Sequence, residues 1–184
     1  MDRFEFVMVL LSIIIGLGIG GLLTNVARQI RAGSKCKGFW VHSGVVAALF
    51  LAFLQMWWES WGLQRMDVWT FPLLLLMLVP PSGLFIISHL IYPNKLEGAD
   101  LESYYFAKTQ LIWSVAALTV VVATLFYPIA FGDQLIQMDN LASLFMLVLC
   151  VLLAKSRLRA LHLGALPVVL VIMVLDIMIF RPVI

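Results

Sequence analysis

Residues 69–92 read WTFPLLLLMLVPPSGLFIISHLIY, an apolar run interrupted near its centre by Pro80-Pro81. A helix crossing a bilayer needs about 20 apolar residues, so this run is long enough. Neither proline has an N–H, and the carbonyls of Leu76 and Met77 therefore lose their usual helical partners. Val79 and Pro80 each precede a proline and are biased away from the α region. In lipid an unsatisfied carbonyl is costly, so this stretch must face protein or a wet cavity. Two readings follow. One is a plain proline kink, the commoner event in membrane helices. The other is a functional break, as in transporters whose half-helices meet near the midplane and offer freed carbonyls to ions. The Ser82 hydroxyl stands where it could satisfy such a carbonyl, and Gly83 leaves room for another backbone.

The whole chain has the same character. Of its 184 residues 63% are hydrophobic and 12% are charged, against about 25% charged in a soluble domain. Six apolar spans are predicted, at about 4–26, 39–61, 69–92, 104–127, 141–154 and 161–180. No connection between them is long enough for a soluble domain. The expected fold is all-α, a single integral membrane domain over residues 1–184: a bundle of six transmembrane helices, the third kinked or broken. The amino-terminal run lacks a basic leader and a small-residue cleavage site, so it reads as a retained helix. Cys36 and Cys150 are expected at different depths, which argues against a disulfide.

In the first span Ser12, Gly16, Gly20 and Thr24 recur every four residues and share one helical face. Such a stripe lets another helix approach closely, so helix packing is its expected role. The loop after it carries Arg28, Arg31, Lys35 and Lys37 with no acid. It reads as a positive-inside anchor, with a phosphate or lipid-headgroup site as the alternative. The second span ends in Trp57, Trp58 and Trp61, an interfacial aromatic cluster. Gln55 and Glu59, four apart, share a face there. Glu59 reads as a hydrated interfacial acid paired with Arg65, or as an outer-mouth carboxylate attracting cations. Gln110 and Ser114 in the fourth span are expected to hydrogen-bond a neighbouring helix. The fifth span has fourteen residues, or about 21 Å of helix. Crossing is the better reading, with Lys155 snorkelling inside and Gln137 or Met138 at the far interface; a re-entrant element is the alternative.

Charge sets the expected topology. With both termini outside the cytoplasm, nine bases lie inside (four in the first loop, Lys95, Lys108, Lys155, Arg157 and Arg159) and three outside (Arg3, Arg65 and Arg181). Reversal would violate the positive-inside rule in both strongly basic loops. The outside then collects Asp2, Glu5, Glu59, Asp67, Asp133 and Asp139, a face that favours cations. The third and sixth spans both read proline, apolar run, proline, a slender hint of an inverted repeat.

Asp176 is the one ionisable residue clearly inside a span, and an intramembrane acid is a functional hypothesis by default. Gln55, Glu59 and Arg181 are its possible partners at similar depth. Together with Glu59 it would suit a proton or cation site; paired with Arg181 it would be structural. His42, His89 and His162 all fall near the inner interface. Converging, they could bind a metal or haem; ordinary hydrogen bonds are the default, and no metal or cofactor is expected. The sequence has no HExxH, GxSxG or phosphate-loop signature, so an enzyme is not expected. The basic loop lacks aromatic interleaving, which leaves nucleic acid without support as a partner.

The layout resembles that of small polytopic inner-membrane proteins of bacteria, in the SIIIGLGI run at 12–19 and the NVARQIR ending at 25–31. That resemblance implies no activity; a cell membrane is the expected location on the apolar spans. Three functions are carried forward. The first is an oligomeric channel or transporter for ions or small solutes, its path lined by the broken third helix, with Gln55, Glu59, Pro80, Pro81, Ser82 and Asp176 as path or gate residues. The second is a partner subunit of a larger membrane complex, resting on the stripe in the first span. The third is a redox or metal protein using the histidines. The bilayer, and a second copy or a membrane-protein partner, are the expected partners.

Overall fold

The computed structural model describes residues 3–132, 134 and 138–180, side chains at 138, 139, 179 and 180 excepted. Asp2, Asp133, Gln137 and Arg181, and the side chains of Met138 and Asp139, lie outside the described residues. Six α-helices form: α1 (Arg3–Ala32), α2 (Trp40–Glu59), α3 (Phe71–Leu90), α4 (Leu101–Phe131), α5 (Met138–Lys155) and α6 (Arg159–Phe180). All but α5 are long and apolar enough to cross a membrane. α5 is the short element, at 18 residues.

Local sequence explains the boundaries. The Thr70 hydroxyl caps α3, with Pro72 in the first turn, where a missing N–H costs nothing. Asp100 caps α4 by accepting from the N–H groups of Glu102 and Ser103 at 3.0 and 3.3 Å. That helix stops at Gly132, whose φ of 72° is the left-handed conformation glycine adopts without strain. Short 3₁₀ turns, Gly33–Lys35 and Ser60–Arg65, extend the ends of α1 and α2.

The third helix separates the two readings of its proline pair. It runs without interruption from Phe71 to Leu90 with Pro80 and Pro81 inside it, so it is one helix and not two half-helices. Its buried face carries Met77, Pro80, Pro81, Gly83, Leu84 and Ile87. The two prolines are therefore turned toward protein, where lost helical bonds are best tolerated. At Gly83 the missing side chain matters: a Cβ there would run into the Thr119 side chain of α4. Ser82 makes no hydrogen bond to the Leu76 or Met77 carbonyl among the described residues.

The helices close a ring. α1 packs on α2 and α3, α4 on α3 and α5, and α6 on α5 and α2, while α2 also touches α3 and α4 from inside. The two halves differ: α1 packs on α3, but α4 and α6 share no packing among the described residues. That asymmetry speaks against the inverted repeat. The main core joins Leu11, Leu22, Phe53, Ile91, Leu101 and Ile112, all nearly sealed.

The glycine stripe points elsewhere than the interior of the ring. Ser12, Gly16, Gly20 and Thr24 are all exposed, and a Cβ at Gly16 or Gly20 would meet open space. Close approach within the chain is made by the neighbouring glycines. Gly18 lies against the Phe53 ring of α2, and Gly21 against the His89 imidazole of α3. Gln110 and Ser114 likewise sit on the exposed face of α4 rather than against a neighbouring helix.

Candidate functional site

A half-open chamber of about 210 Å³ lies between α2, α4, α5 and α6, with Leu84 and Ile87 from α3. Helical periodicity builds its walls. Val45, Leu49, Ala52, Gln55, Met56 and Glu59 line it from one face of α2, a length of about 21 Å at 1.5 Å per residue. One end is polar. There Gln55 of α2 donates its side-chain amide to Asp176 Oδ2 of α6 at 2.7 Å, and Glu59 lies one turn further along α2. Asp176 is 6% exposed. The pairing of Gln55 with Asp176 joins two path candidates from helices 121 residues apart.

The walls between are largely self-satisfied. The Thr119 and Thr124 hydroxyls each donate to a carbonyl of their own helix, Val115 O and Val120 O, at 2.8 Å. Pro80, Pro81 and Ser82 do not line the chamber; α3 reaches it lower down, through Leu84 and Ile87. The path candidates thus divide into a polar set gathered on the chamber and a proline set packed away from it. Arg65, considered as a partner for Glu59, instead donates to Gly62 O and lies 4.8 Å from the centre of the Phe131 ring.

At its other end the chamber meets Trp113 and Cys150, beyond which runs a buried hydrogen-bonded chain. His162 Nε2 lies 2.9 Å from Ser156 O. A carbonyl only accepts, so Nε2 carries the proton and Nδ1 is bare. Tyr105 therefore donates its hydroxyl to His162 Nδ1 at 2.8 Å, and its oxygen accepts from Trp113 Nε1 at 2.9 Å. Sequence reading missed Tyr105 and Trp113. The available signal was their eight-residue spacing, which puts them on one face of α4, level with His162 at the start of α6.

The three histidines have separate partners. His42 Nε2 bonds Ile91 O at 2.9 Å, His89 bonds Phe85 O at 3.0 Å, and His162 holds the chain just described. No group of three His, Cys, Asp or Glu side chains suited to a metal occurs among the described residues. Each imidazole bonds a different backbone carbonyl, His42 across to the end of α3 and His89 and His162 within their own surroundings, which is the default arrangement rather than the metal-binding alternative. Both cysteines are free thiols.

The basic end is tied together. Lys37 N–H donates to Ala99 O at 2.9 Å, and Leu101 N–H to Lys37 O at 3.0 Å. Lys37 Nζ meets Asp100 Oδ2 at 2.9 Å, and Lys35 pairs with Glu97 at 3.6 Å. Arg28 donates to Asn94 O at 2.6 Å, and Arg159 meets Glu102 at 2.8 Å. The loop without acids is thus partly neutralised by acids of the α3–α4 connection. The hydrogen bond from Lys37 holds the Asp100 carboxyl below its ordinary range and raises the lysine in return. Burial pushes the Tyr92 hydroxyl up to about 12 and raises the Cys36 thiol. The Tyr92 hydroxyl donates to Gln29 Oε1 at 2.9 Å.

Comparison with family models, curated proteins and solved structures finds no match. The helices define the class: an all-helical chain with five helices able to cross a membrane, compatible with a multi-pass membrane protein.

Proposed function

We propose that this chain is a small membrane channel or transporter that passes ions or small solutes through the chamber between α2, α4, α5 and α6. The observation that supports it is the chamber itself, long, apolar and polar at one end, where Gln55 and Asp176 meet and Glu59 stands nearby. On this reading the polar end faces outward and the zipped basic end inward, as the positive-inside rule requires. The proline pair packs on the buried face of a continuous α3, and the path runs beside α3 instead of through a break in it.

The test is flux in liposomes holding the purified chain, using protons, K⁺ and small charged and neutral organic solutes. At least one should cross faster than in protein-free vesicles, Asp176→Asn should slow it, and Lys35→Ala should not. No flux for any solute, or flux indifferent to Asp176→Asn, refutes the reading. A partner-subunit role has one observation in its favour, the exposed Ser12–Gly16–Gly20–Thr24 face. A stable association abolished by Gly16→Leu/Gly20→Leu would support it; an isolated chain that stays monomeric in mild detergent would count against it.

A further inference from the structure

We infer that the basic end of the bundle is a docking surface for anionic phospholipid, held through the headgroup phosphates of the adjoining leaflet. The inference is independent of transport, since it uses no residue of the chamber.

This end is made by the last turns of α1, α3 and α5 and the first turns of α2, α4 and α6. Its two longer connections are fixed to each other. Gly98 N–H donates to Lys35 O at 2.7 Å, and Lys37 N–H to Ala99 O at 2.9 Å. Arg159 of α6 reaches Glu102 of α4 at 2.8 Å. Residues 27–40, 90–108 and 155–162, which build this end, are all described, so its charge balance can be read directly.

Nine bases stand there against three acids. Each acid is already taken: Glu97 by Lys35, Asp100 by Lys37 and Glu102 by Arg159. Arg28 spends its guanidinium on Asn25 and on the Asn94 carbonyl. Arg31, Lys95, Lys108, Lys155 and Arg157 are exposed and have no protein partner among the described residues. The ligand that complements them is an anion. A zwitterionic headgroup carries its own cation and offers these bases no net charge.

Position favours lipid over a soluble acidic partner. Lys108 lies on the exposed side of α4, about 10 Å along the axis from Leu101, and exposed Leu111 follows it by one turn. Lys155 closes α5 one turn after exposed Val151 and Leu152. Exposed Ile30 precedes Arg31, exposed Leu158 separates Arg157 from Arg159, and exposed Trp40 opens α2. Tryptophan is the residue type found at headgroup depth. The free bases therefore emerge where the apolar belt ends, spread over several helices. The phosphates of a leaflet lie at that level, and long basic side chains reach them while their stems stay on apolar surface. An acidic protein resting on the end would meet Lys95 and Arg157 and leave Lys108 on the flank uncovered.

The experiment counts lipids retained by the full chain in native mass spectrometry from mild detergent. Phosphatidylglycerol and phosphatidylcholine with the same acyl chains are supplied in equal amounts. A single base near an anionic headgroup layer is worth about fivefold in association, so phosphatidylglycerol should be retained at least about fivefold more. Arg31→Gln, Lys95→Gln, Lys108→Gln, Lys155→Gln and Arg157→Gln together should abolish that preference, and Arg65→Gln at the opposite end should leave it. Equal retention of the two lipids by the unmodified chain overturns the inference, as does a preference that survives the five substitutions. The first comparison needs no variant, so a variant that fails to fold does not block it. Excess inorganic phosphate should not displace the lipid; displacement would assign the surface to a free anion. The chain in phosphatidylcholine nanodiscs should not retain polyglutamate at about 0.15 M salt; retention would assign it to an acidic protein. Either result overturns the lipid assignment.

Discussion

Replacing Tyr105 by Phe probes the buried chain between the chamber and the basic end. The ring stays and its packing against Phe39 and Phe106 is kept, so no cavity opens. The loss is one oxygen with two partners, the Trp113 indole N–H at 2.9 Å and His162 Nδ1 at 2.8 Å. Tyr105 is 0% exposed, His162 1% and Trp113 7%, so water cannot replace it readily. A buried polar group left unpaired costs about 1–3 kcal/mol. Inside membranes the average hydrogen bond is worth nearer 0.6 kcal/mol, because the unfolded chain also finds partners in lipid. Two orphaned groups at intermediate values give a loss of about 2–4 kcal/mol. Reversible unfolding in mixed micelles, followed by circular dichroism, measures it. A cycle with His162→Phe isolates the Tyr105–His162 term, which should couple the two sites by about 1 kcal/mol. A loss below about 0.5 kcal/mol with additive single changes would refute both the proton assignment and the claim that the chain is sealed.

Three further outcomes are expected. Gly83→Val should cost about 1–3 kcal/mol through overpacking against Thr119, and Thr119→Ala should recover part of that in the same unfolding assay. Gly18→Leu should disrupt folding through the Phe53 ring, whereas Gly16→Leu and Gly20→Leu, with open space around them, should leave the unfolding of the isolated chain unchanged. The Lys37–Asp100 contact has a signed pH dependence. The folded carboxyl lies below its ordinary value of 3.8, so its contribution is present above that value and lost as pH falls through the folded one. The folded lysine lies above its ordinary 10.5, so its contribution is present below that value and lost as pH rises through the folded one. Amide exchange at Lys37 and Leu101, corrected for intrinsic rates, should show protection fading at the acid end and staying level from pH 5 to 9; in Lys37→Met that acid fading should disappear.

The sequence carried much of the fold, because lipid solubility demands long apolar runs that composition cannot conceal. Each predicted span falls on one helix, with α1 and α4 running several residues beyond theirs and the short fifth gaining a turn at its start. The polar end of the chamber was also legible: an acid in an apolar span needs a partner at its depth, and Gln55 was among the few available. What stayed hidden depends on rotation and on neighbours. Pro80-Pro81 removes two helical bonds, yet the helix continues because Met77, Gly83 and Leu84 of the same turns are buried against the ring. Ser12, Gly16, Gly20 and Thr24 do share a face, but periodicity cannot say whether that face turns inward; Gly18 and Gly21 took the contacts. Tyr105 and Trp113 were invisible as a pair because their meaning depends on His162, which arrives from the far end of the chain.

Plugging the chamber tests the account most directly. Ala116 lines it from α4, between the polar end and Trp113. In liposomes Ala116→Trp should cut flux of the transported solute at least tenfold while helix content stays unchanged. Flux at the unmodified rate through a folded Ala116→Trp protein would show that solute does not pass through this chamber.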